Sequence, residues 1–561
     1  MQRTLPVRVV MICLSLGLAL AAASCKKGKE SAETAGPAAR DQLVDKPNEA
    51  PATTKAAEAG GAAAGGAVAA TPAPVDQARA FSARAHGRAD TGIAREGGTG
   101  TESYEHREAS AWVSAGEDAL STFAVDVDTG SYTIFRKKVL AGEQVPPDAV
   151  RVEEFVNFFR YADAPPADGS PFAIHTELAP SPWRRGAHLL RVALKGREVA
   201  PEARKPAHLV FLVDVSGSMA DPDKLPLVKR SLRILVESLQ RVDTVSLVTY
   251  AGSTRVVLEP TGLDRRADIL RAIDELDAGG STAMASGLDL AYQQATRHLG
   301  RDSISRVIVL TDGDANVGPS SFEDMLAIIA GRASEGVTLS TIGFGMGNYK
   351  DSVLEQLADK GDGNYFYVDS IDQARRVFHE QLGGTLEVIA RDAKVQVEFD
   401  PHTVSRYRLM GYENRDVADQ DFRNDKVDGG EIGSGHAVTA LYELELRRAP
   451  AGDGAGEGRV AVVRVRAKQP RGNESGEWSQ PVDAAGARRS FDVASADLRF
   501  AAAVAGAAEI LRGSPAAEGW RMVDARAMAR AAAGESPERQ ELVSLLGRLA
   551  GEAPRAATLA R

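Results

Sequence analysis

Asp214, Ser216 and Ser218 stand at alternating positions directly after an apolar run, His208-Leu209-Val210-Phe211-Leu212-Val213. The run reads as a buried strand, and its end delivers one carboxylate and two hydroxyls. Short oxygen donors of this kind suit a hard cation. Mg²⁺ takes near-octahedral oxygen coordination and releases water reluctantly, so hydroxyls backed by carboxylates leave a position for water or for a partner's group. The plainer alternative is that Ser216 and Ser218 build a turn, as such residues often do.

Two further segments carry the same oxygen chemistry. Gly279-Gly280-Ser281-Thr282 precedes a helical run, Ala285 to His298, and adds a hydroxyl; a second apolar strand, Ser305 to Thr311, ends at Asp312-Gly313-Asp314. Taken alone, Asp312 needs to be no more than a helix cap. In this order and on strand ends, the three pieces resemble the metal-ion-dependent adhesion site of the von Willebrand factor type A domain, over about Ala207 to Leu382. The resemblance implies Ser216, Ser218 and Thr282 as direct ligands of Mg²⁺ or Mn²⁺, with Asp214 and Asp312 holding metal-bound waters. It also implies that the last coordination position takes an Asp or Glu carboxylate from a partner protein.

The elements that must position these residues alternate regularly. Strands are expected at His208–Val215, Thr244–Tyr250, Val256–Leu258, Ser305–Thr311, Thr338–Gly343 and Asn364–Tyr367. Helices are expected at Lys224–Leu239, Arg265–Leu276, Ala285–His298, Ser321–Glu335, Ser352–Lys360 and Ile371–Leu382. The pattern specifies an α/β fold, a doubly wound, mostly parallel sheet covered on both faces, with ligands bound at the carboxyl ends of its strands. Alternating apolar segments lie on both sides of it: Phe172–Leu178 and Leu189–Leu194 before, Lys394–Phe399, Ala437–Leu446 and Arg459–Ala467 after. The simplest arrangement pairs them into one sandwich-like body into which the α/β domain is inserted; two separate small β domains are the alternative. A helix is expected at Val150–Phe159, and others near the end at Ser495–Leu511 and Glu538–Ala550. Leu120 to Tyr132 and Pro146 to Phe155 before the domain, and Tyr407 to Arg415 and Glu431 to His436 after it, are similar to segments of bacterial YfbK-type lipoproteins.

The chain has 561 residues, enough for roughly three or four domains on length alone. Arg3 and Arg8 precede an apolar run from Val9 to Ala23, followed by Ser24-Cys25-Lys26-Lys27. This run is short for a membrane span and has the flanks of a secretory signal. Ala22-Ala23-Ser24-Cys25 resembles a bacterial lipobox, with Ala22 where Leu is usual, which implies lipidation of Cys25 and a membrane anchor. Lys26 after it implies sorting to the outer membrane. Cys13 would leave with the signal, so no disulfide is expected. From Lys26 onward Ala, Gly, Pro, Glu and Thr dominate, as in Gly60-Gly61-Ala62-Ala63-Ala64-Gly65-Gly66. Such a composition cannot bury a core and reads as a disordered tether. The expected organisation is therefore a signal over 1–24, a tether over 25–115, an N-terminal flank over 116–200, the α/β domain over 207–382, and a β-rich domain with terminal helices over 386–561. A formal charge of −10, with no basic cluster on an expected element, argues against nucleic acid as a partner.

Four other patterns invite functional readings. Asp128-Thr129-Gly130-Ser131 resembles half of an aspartic protease site, yet no second Asp-Thr-Gly or Asp-Ser-Gly occurs, and the chemistry needs two carboxylates. A strand followed by a turn is the expectation there. Asp421 to Glu431 is acidic but lacks EF-hand spacing. His436 has no second His or Cys nearby to complete a zinc set. Gly343-Phe344-Gly345-Met346-Gly347 has no phosphate-binding Lys and reads as a tight turn beside the metal face. The expected function is a lipid-anchored cell-envelope binding protein, not an enzyme, that engages an acidic residue of a protein partner through Mg²⁺. The alternatives are an envelope hydrolase, acting at Asp128 or through the metal, and a structural protein stiffened by the metal.

Overall fold

Residues 102–551 are described by the computed structural model, apart from 298, 301, 314–321, 348, 382–383, 385, 448–457 and 471–473. They fall in one of the two units into which the chain divides, Ala94–Arg561. The expected signal, Cys25 and most of the expected tether lie outside the described residues. The first elements of the described residues are β1 (Val113–Ser114), β2 (Leu120–Ala124), α1 (Gly130–Ala141), α2 (Val152–Asn157), β3 (Phe172–Pro180) and β4 (Ala187–Gly196). The α/β domain follows: β5 (Ala207–Asp214), α3 (Leu225–Ser238), β6 (Thr244–Tyr250), β7 (Thr254–Gly262), α4 (Arg266–Asp274), α5 (Met284–Thr296), β8 (Ile304–Thr311), α6 (Phe322–Ser334), β9 (Val337–Phe344), α7 (Asp351–Lys360), β10 (Tyr365–Val368) and α8 (Ile371–Arg375), which continues as a π-helix, Arg376–Gln381. The chain then returns through β11 (Val388–Phe399), β12 (Val404–Met410), β13 (Gly430–Gly433), β14 (Ala437–Leu446), β15 (Arg459–Lys468) and β16 (Ser475–Asp483). It ends in α9 (Ala496–Leu511), α10 (Met522–Ala532) and α11 (Pro537–Leu549).

The central sheet has the order β10-β9-β8-β5-β6-β7, parallel except for β7 at one edge. All eight residues of β5 are buried, which is why the strand reads as an unbroken apolar run. Its side chains nevertheless divide between the faces. Leu209, Phe211 and Val213 join the layer formed by helices α3, α4 and α8, through Val228, Leu232, Ile269 and Ala374. Val210 and Leu212 join α5, α6 and α7, through Leu288, Ile329 and Leu354. The sheet is thus doubly wound, as the alternation implies.

The flanking strands pair across the inserted domain. β4 lies antiparallel to β14, from Lys195 opposite Ala437 to Ala187 opposite Glu445, in a sheet ordered β1-β12-β14-β4-β3. β2 pairs with β11 in the second sheet, which runs β13-β11-β15-β16. Val192, Leu194, Val395, Val397, Tyr442 and Val463 share the core between them. α9 is buried along most of its length, and its Ala501–Ala505 stretch and Leu498 pack with Tyr132, Phe155 and Phe159 of the N-terminal flank.

Several elements depart from the sequence reading. α1 occupies positions where the sequence suggests a turn after a strand, and α10, β12, β13 and β16 have no counterpart among the expected elements. The expected tether also ends earlier than 115. Glu102 pairs with Lys138 of α1 at 2.9 Å, Ser103 bridges to Lys350, Ser110 donates to Glu413 and β1 pairs with β12. Residues 102–115 therefore belong to the folded body, held by polar contacts that composition alone does not reveal.

Candidate functional site

The three oxygen-bearing segments meet at the carboxyl ends of β5 and β8. Asp214, fully buried at the last position of β5, accepts the Ser216 backbone N–H through Oδ1 at 2.9 Å. Its Oδ2 accepts the hydroxyls of Tyr250 at 3.1 Å and Thr311 at 2.9 Å. A carboxylate held by three such donors cannot swing, so the turn that follows is fixed in place. That turn brings the Ser216 and Ser218 hydroxyls to 3.0 Å from each other. Burial pushes the Asp214 carboxyl up, and Asp312 pushes it the same way, against the bonds from Ser216 and Thr311.

The Gly279–Thr282 loop is tied to the same turn through its backbone. Gly217 N–H donates to the Gly280 carbonyl at 3.1 Å, and Gly279 N–H donates to the Val215 carbonyl at 2.7 Å. Gly280 has φ of +90°, and a methyl on it would crowd the Gly252 nitrogen, so this close approach requires glycine. Thr282 is half-buried on this loop, shortly before α5. Asp312 is fully buried at the end of β8, where Lys224 donates to its Oδ2 at 3.0 Å. The structure thus brings Asp214, Ser216 and Ser218 together, ties the loop carrying Thr282 to them, and places Asp312 on the neighbouring strand end.

Sequence reasoning misses Lys224. It lies 4 % exposed at the N-terminus of α3 and offsets part of the charge of the two carboxylates. The signal available is its position, on the same strand-to-helix connection as Ser216 and Ser218. Among the described residues no cluster of three or more His, Cys, Asp or Glu side chains could hold a metal. The donors here are of another kind: hydroxyls backed by two acids, an all-oxygen set that suits a hard cation rather than zinc.

The other patterns find structural partners. Asp128 is buried, accepts the Tyr365 backbone N–H at 2.9 Å and pairs with Arg415 at 3.1 Å. Gly130 lies under the Tyr365 ring, which a methyl would overlap. The Asp-Thr-Gly-Ser stretch thereby docks the flank on the edge strand of the α/β sheet. Asp425, inside the acidic Asp421–Glu431 loop, binds Arg466 and Ser475. His436 accepts the Gly433 N–H at 3.3 Å, and burial with Arg306 and Lys195 nearby lowers it to about 4, so it is neutral at pH 7. Gly345 lies against the Lys224 side chain and Gly347 N–H donates to Glu102, placing that turn beside the site.

A doubly wound sheet with this loop arrangement defines a von Willebrand factor type A domain, and a family model of that description matches residues 208–380. Further models match residues 98–191, described as von Willebrand factor, and 384–551, described as the C-terminal part of the uncharacterized protein YfbK. The uncharacterized protein YfbK of Escherichia coli (strain K12) is 37% identical over 491 residues, covering 84% of this chain and 83% of that one. The chain belongs to the YfbK family of type A domain proteins. The uncharacterized protein sll0103 of Synechocystis is 29% identical over 212 residues, covering 38% of this chain and 49% of that protein. A solved structure described as von Willebrand factor type A from Catenulispora acidiphila is similar with a TM-score of 0.41 and 19% identity, over 70% of this chain and 89% of that one.

Proposed function

We propose that this is a lipid-anchored cell-envelope binding protein whose type A domain engages an Asp or Glu of a protein partner through a divalent cation, Mg²⁺ or Mn²⁺. The type A domain itself points to protein–protein interaction or adhesion. The observation that carries the finer reading is the convergence of three loops on one sheet edge, with the Ser216 and Ser218 hydroxyls 3.0 Å apart over an anchored Asp214. Ser216, Ser218 and Thr282 would hold the ion directly, and Asp214 and Asp312 through water. A bound divalent ion supplies an electrophilic centre whose charge hydroxyl donors leave incompletely neutralised, so a partner's carboxylate is attracted strongly once water is excluded. Lys224 holds Asp312 in place and limits the build-up of negative charge. Anchoring through Cys25 and residence in the outer membrane are part of the same proposal.

Titration calorimetry and thermal unfolding of the full chain with Mg²⁺ and Mn²⁺ test the site. A ligand that binds only the native state stabilises it by about 2.7 kcal/mol at one hundred times its Kd. The wild type should gain this, and Asp214→Ala and Thr282→Ala should not. Capture of partners from envelope extract should fail in the same variants and on removal of Mg²⁺. No binding of either ion at millimolar concentration would overturn the proposal.

A further inference from the structure

Two arginines gather a cluster of carboxylates at the seam between the α/β domain and the flanking body, which Arg136–Asp369 and Lys137–Asp223 also cross. Arg151, directly before α2, pairs with Glu154 in its own turn and reaches across to α7, 2.5 Å from Asp351 and 3.6 Å from Glu355. Arg415, in the loop after β12, lies 3.2 Å from Asp126, 3.1 Å from Asp128 and 2.6 Å from Asp359. Six carboxylates therefore meet two guanidiniums in ion-pair contact, and Glu154 and Asp351 have almost no exposed side-chain surface. Neutral donors supply the remaining bonds: Ser131 N–H to Glu154 at 2.7 Å, Asn414 to Glu355 at 2.5 Å and the Tyr365 hydroxyl to Asp351.

A buried carboxylate without its own counter-ion is costly, and the least expensive relief is to keep a proton. The seam also adjoins the site. α7 starts at Asp351, one residue after Lys350, and the Lys350 backbone nitrogen lies 2.9 Å from where a methyl on Gly313, next to Asp312, would sit. We propose that the seam is a proton-dependent latch, fastening the loop that leads into α7, and with it one edge of the candidate site, to the flanking body.

The charged surroundings support uptake of protons when the seam is closed. Burial pushes Glu154 up to about 8; Glu355, Asp351 and Asp126 push the same way, and only Arg151 opposes them strongly. Burial raises Asp128 as well, with Asp126, Asp359 and Glu154 adding and Arg415 opposing. Burial likewise raises Asp359, helped by Glu355 and Asp126 against Arg415. Glu355 goes the other way: burial acts upward on it, but Arg151, Arg415, Asn414 and Arg107 outweigh burial. Tyr349 and Tyr365, facing the same acids, are raised and stay neutral. For a carboxyl raised on closure, the contribution to the closed state is complete below the open-state pKa of about 4.3 and is lost as pH climbs through the closed-state value. The latch is therefore tight in mild acid and loosens toward pH 8. It needs no metal.

Hydrogen exchange of the full chain at about pH 6 and about pH 8.5, corrected for the chemical exchange rate, tests this on peptides covering 345–354. Protection there should fall about tenfold per pH unit for each linked proton, while β5 changes less than about twofold. Glu154→Gln, which cannot ionise, should show a smaller fall than the wild type, by the share that belongs to Glu154. If that variant does not fold, Asp359→Asn, at the more exposed end of the seam, should reduce the fall over about pH 5 to about pH 7, the range in which Asp359, raised to about 6, gives up its proton. Unchanged wild-type protection, a parallel fall in β5, or an undiminished fall in the folded variants would each overturn the latch.

Discussion

Removing the Arg408 guanidinium should destabilise the flanking body more than any surface change. Arg408 on β12 is fully buried between Glu443 of β14, at 2.8 Å, and Glu509 of α9, at 2.9 Å, and both carboxylates are also fully buried. Arg408→Met leaves Glu443 without its ion pair, and leaves Glu509 with only Arg512 at 3.4 Å. Breaking a buried pair from one side costs about 3–5 kcal/mol, because a charge stays behind without compensation. At about 2 °C per kcal/mol, the value for larger domains, the melting temperature should drop by about 6–10 °C. Denaturant unfolding followed by circular dichroism gives the free energy, and a second measurement isolates the cause. Arg408→Met combined with Glu443→Leu and Glu509→Leu removes the orphaned charges and should recover more than half of the loss, while Arg512 keeps Glu413 at 2.8 Å. A cost below about 1 kcal/mol for the single variant, or a triple variant no better than the single, would refute the account of this triad. The same result bears on architecture, since the triad joins the sandwich to the terminal helices.

Two other outcomes follow from the sequence and the seam. Gly130→Ala should lower the unfolding free energy by about 1–3 kcal/mol, because the added methyl overlaps the Tyr365 ring; wild-type stability for this variant would contradict the docking role of Asp128-Thr129-Gly130-Ser131. Cys25→Ser should move the protein from the membrane fraction to the soluble fraction after a high-salt wash, and continued membrane association with an unchanged N-terminal mass would remove the lipid anchor from the proposal.

What could be read in advance was whatever a local stretch declares by itself. β5 is apolar from Leu209 to Val213 and β8 from Val307 to Leu310 because both faces of a central parallel strand are covered, and the oxygen-bearing residues follow these runs directly. α1 gave no such signal. Tyr132, Thr133, Ile134, Phe135 and Arg136 are all buried, so the helix has no continuous polar stripe, and its periodicity is lost between β10 on one side and the terminal helices on the other. α10 was silent for a different reason: Ala525, Ala529 and Ala532 make its buried face, with no large apolar residue among them. The role of Lys224 and the two arginines of the seam depends on partners far away in sequence, 200 residues for Arg151 and Asp351. Charged residues at such separations look like ordinary solvated surface until the fold brings them together.

The point at which the N-terminal stretch joins the folded body has a mechanical consequence. Glu102 and Ser103 are fastened to the turn beside the candidate site by the Gly347 N–H, which donates to Glu102 at 2.9 Å, and by the Ser103 N–H, which donates to the Tyr349 carbonyl at 3.2 Å, while Glu102 also pairs with Lys138 of α1 at 2.9 Å. Any tension arriving along the chain from before residue 102 is borne first by these few bonds, and only afterwards by the sandwich. A tug on the N-terminal side would therefore reach the turn at Gly345–Gly347 before it strained any core.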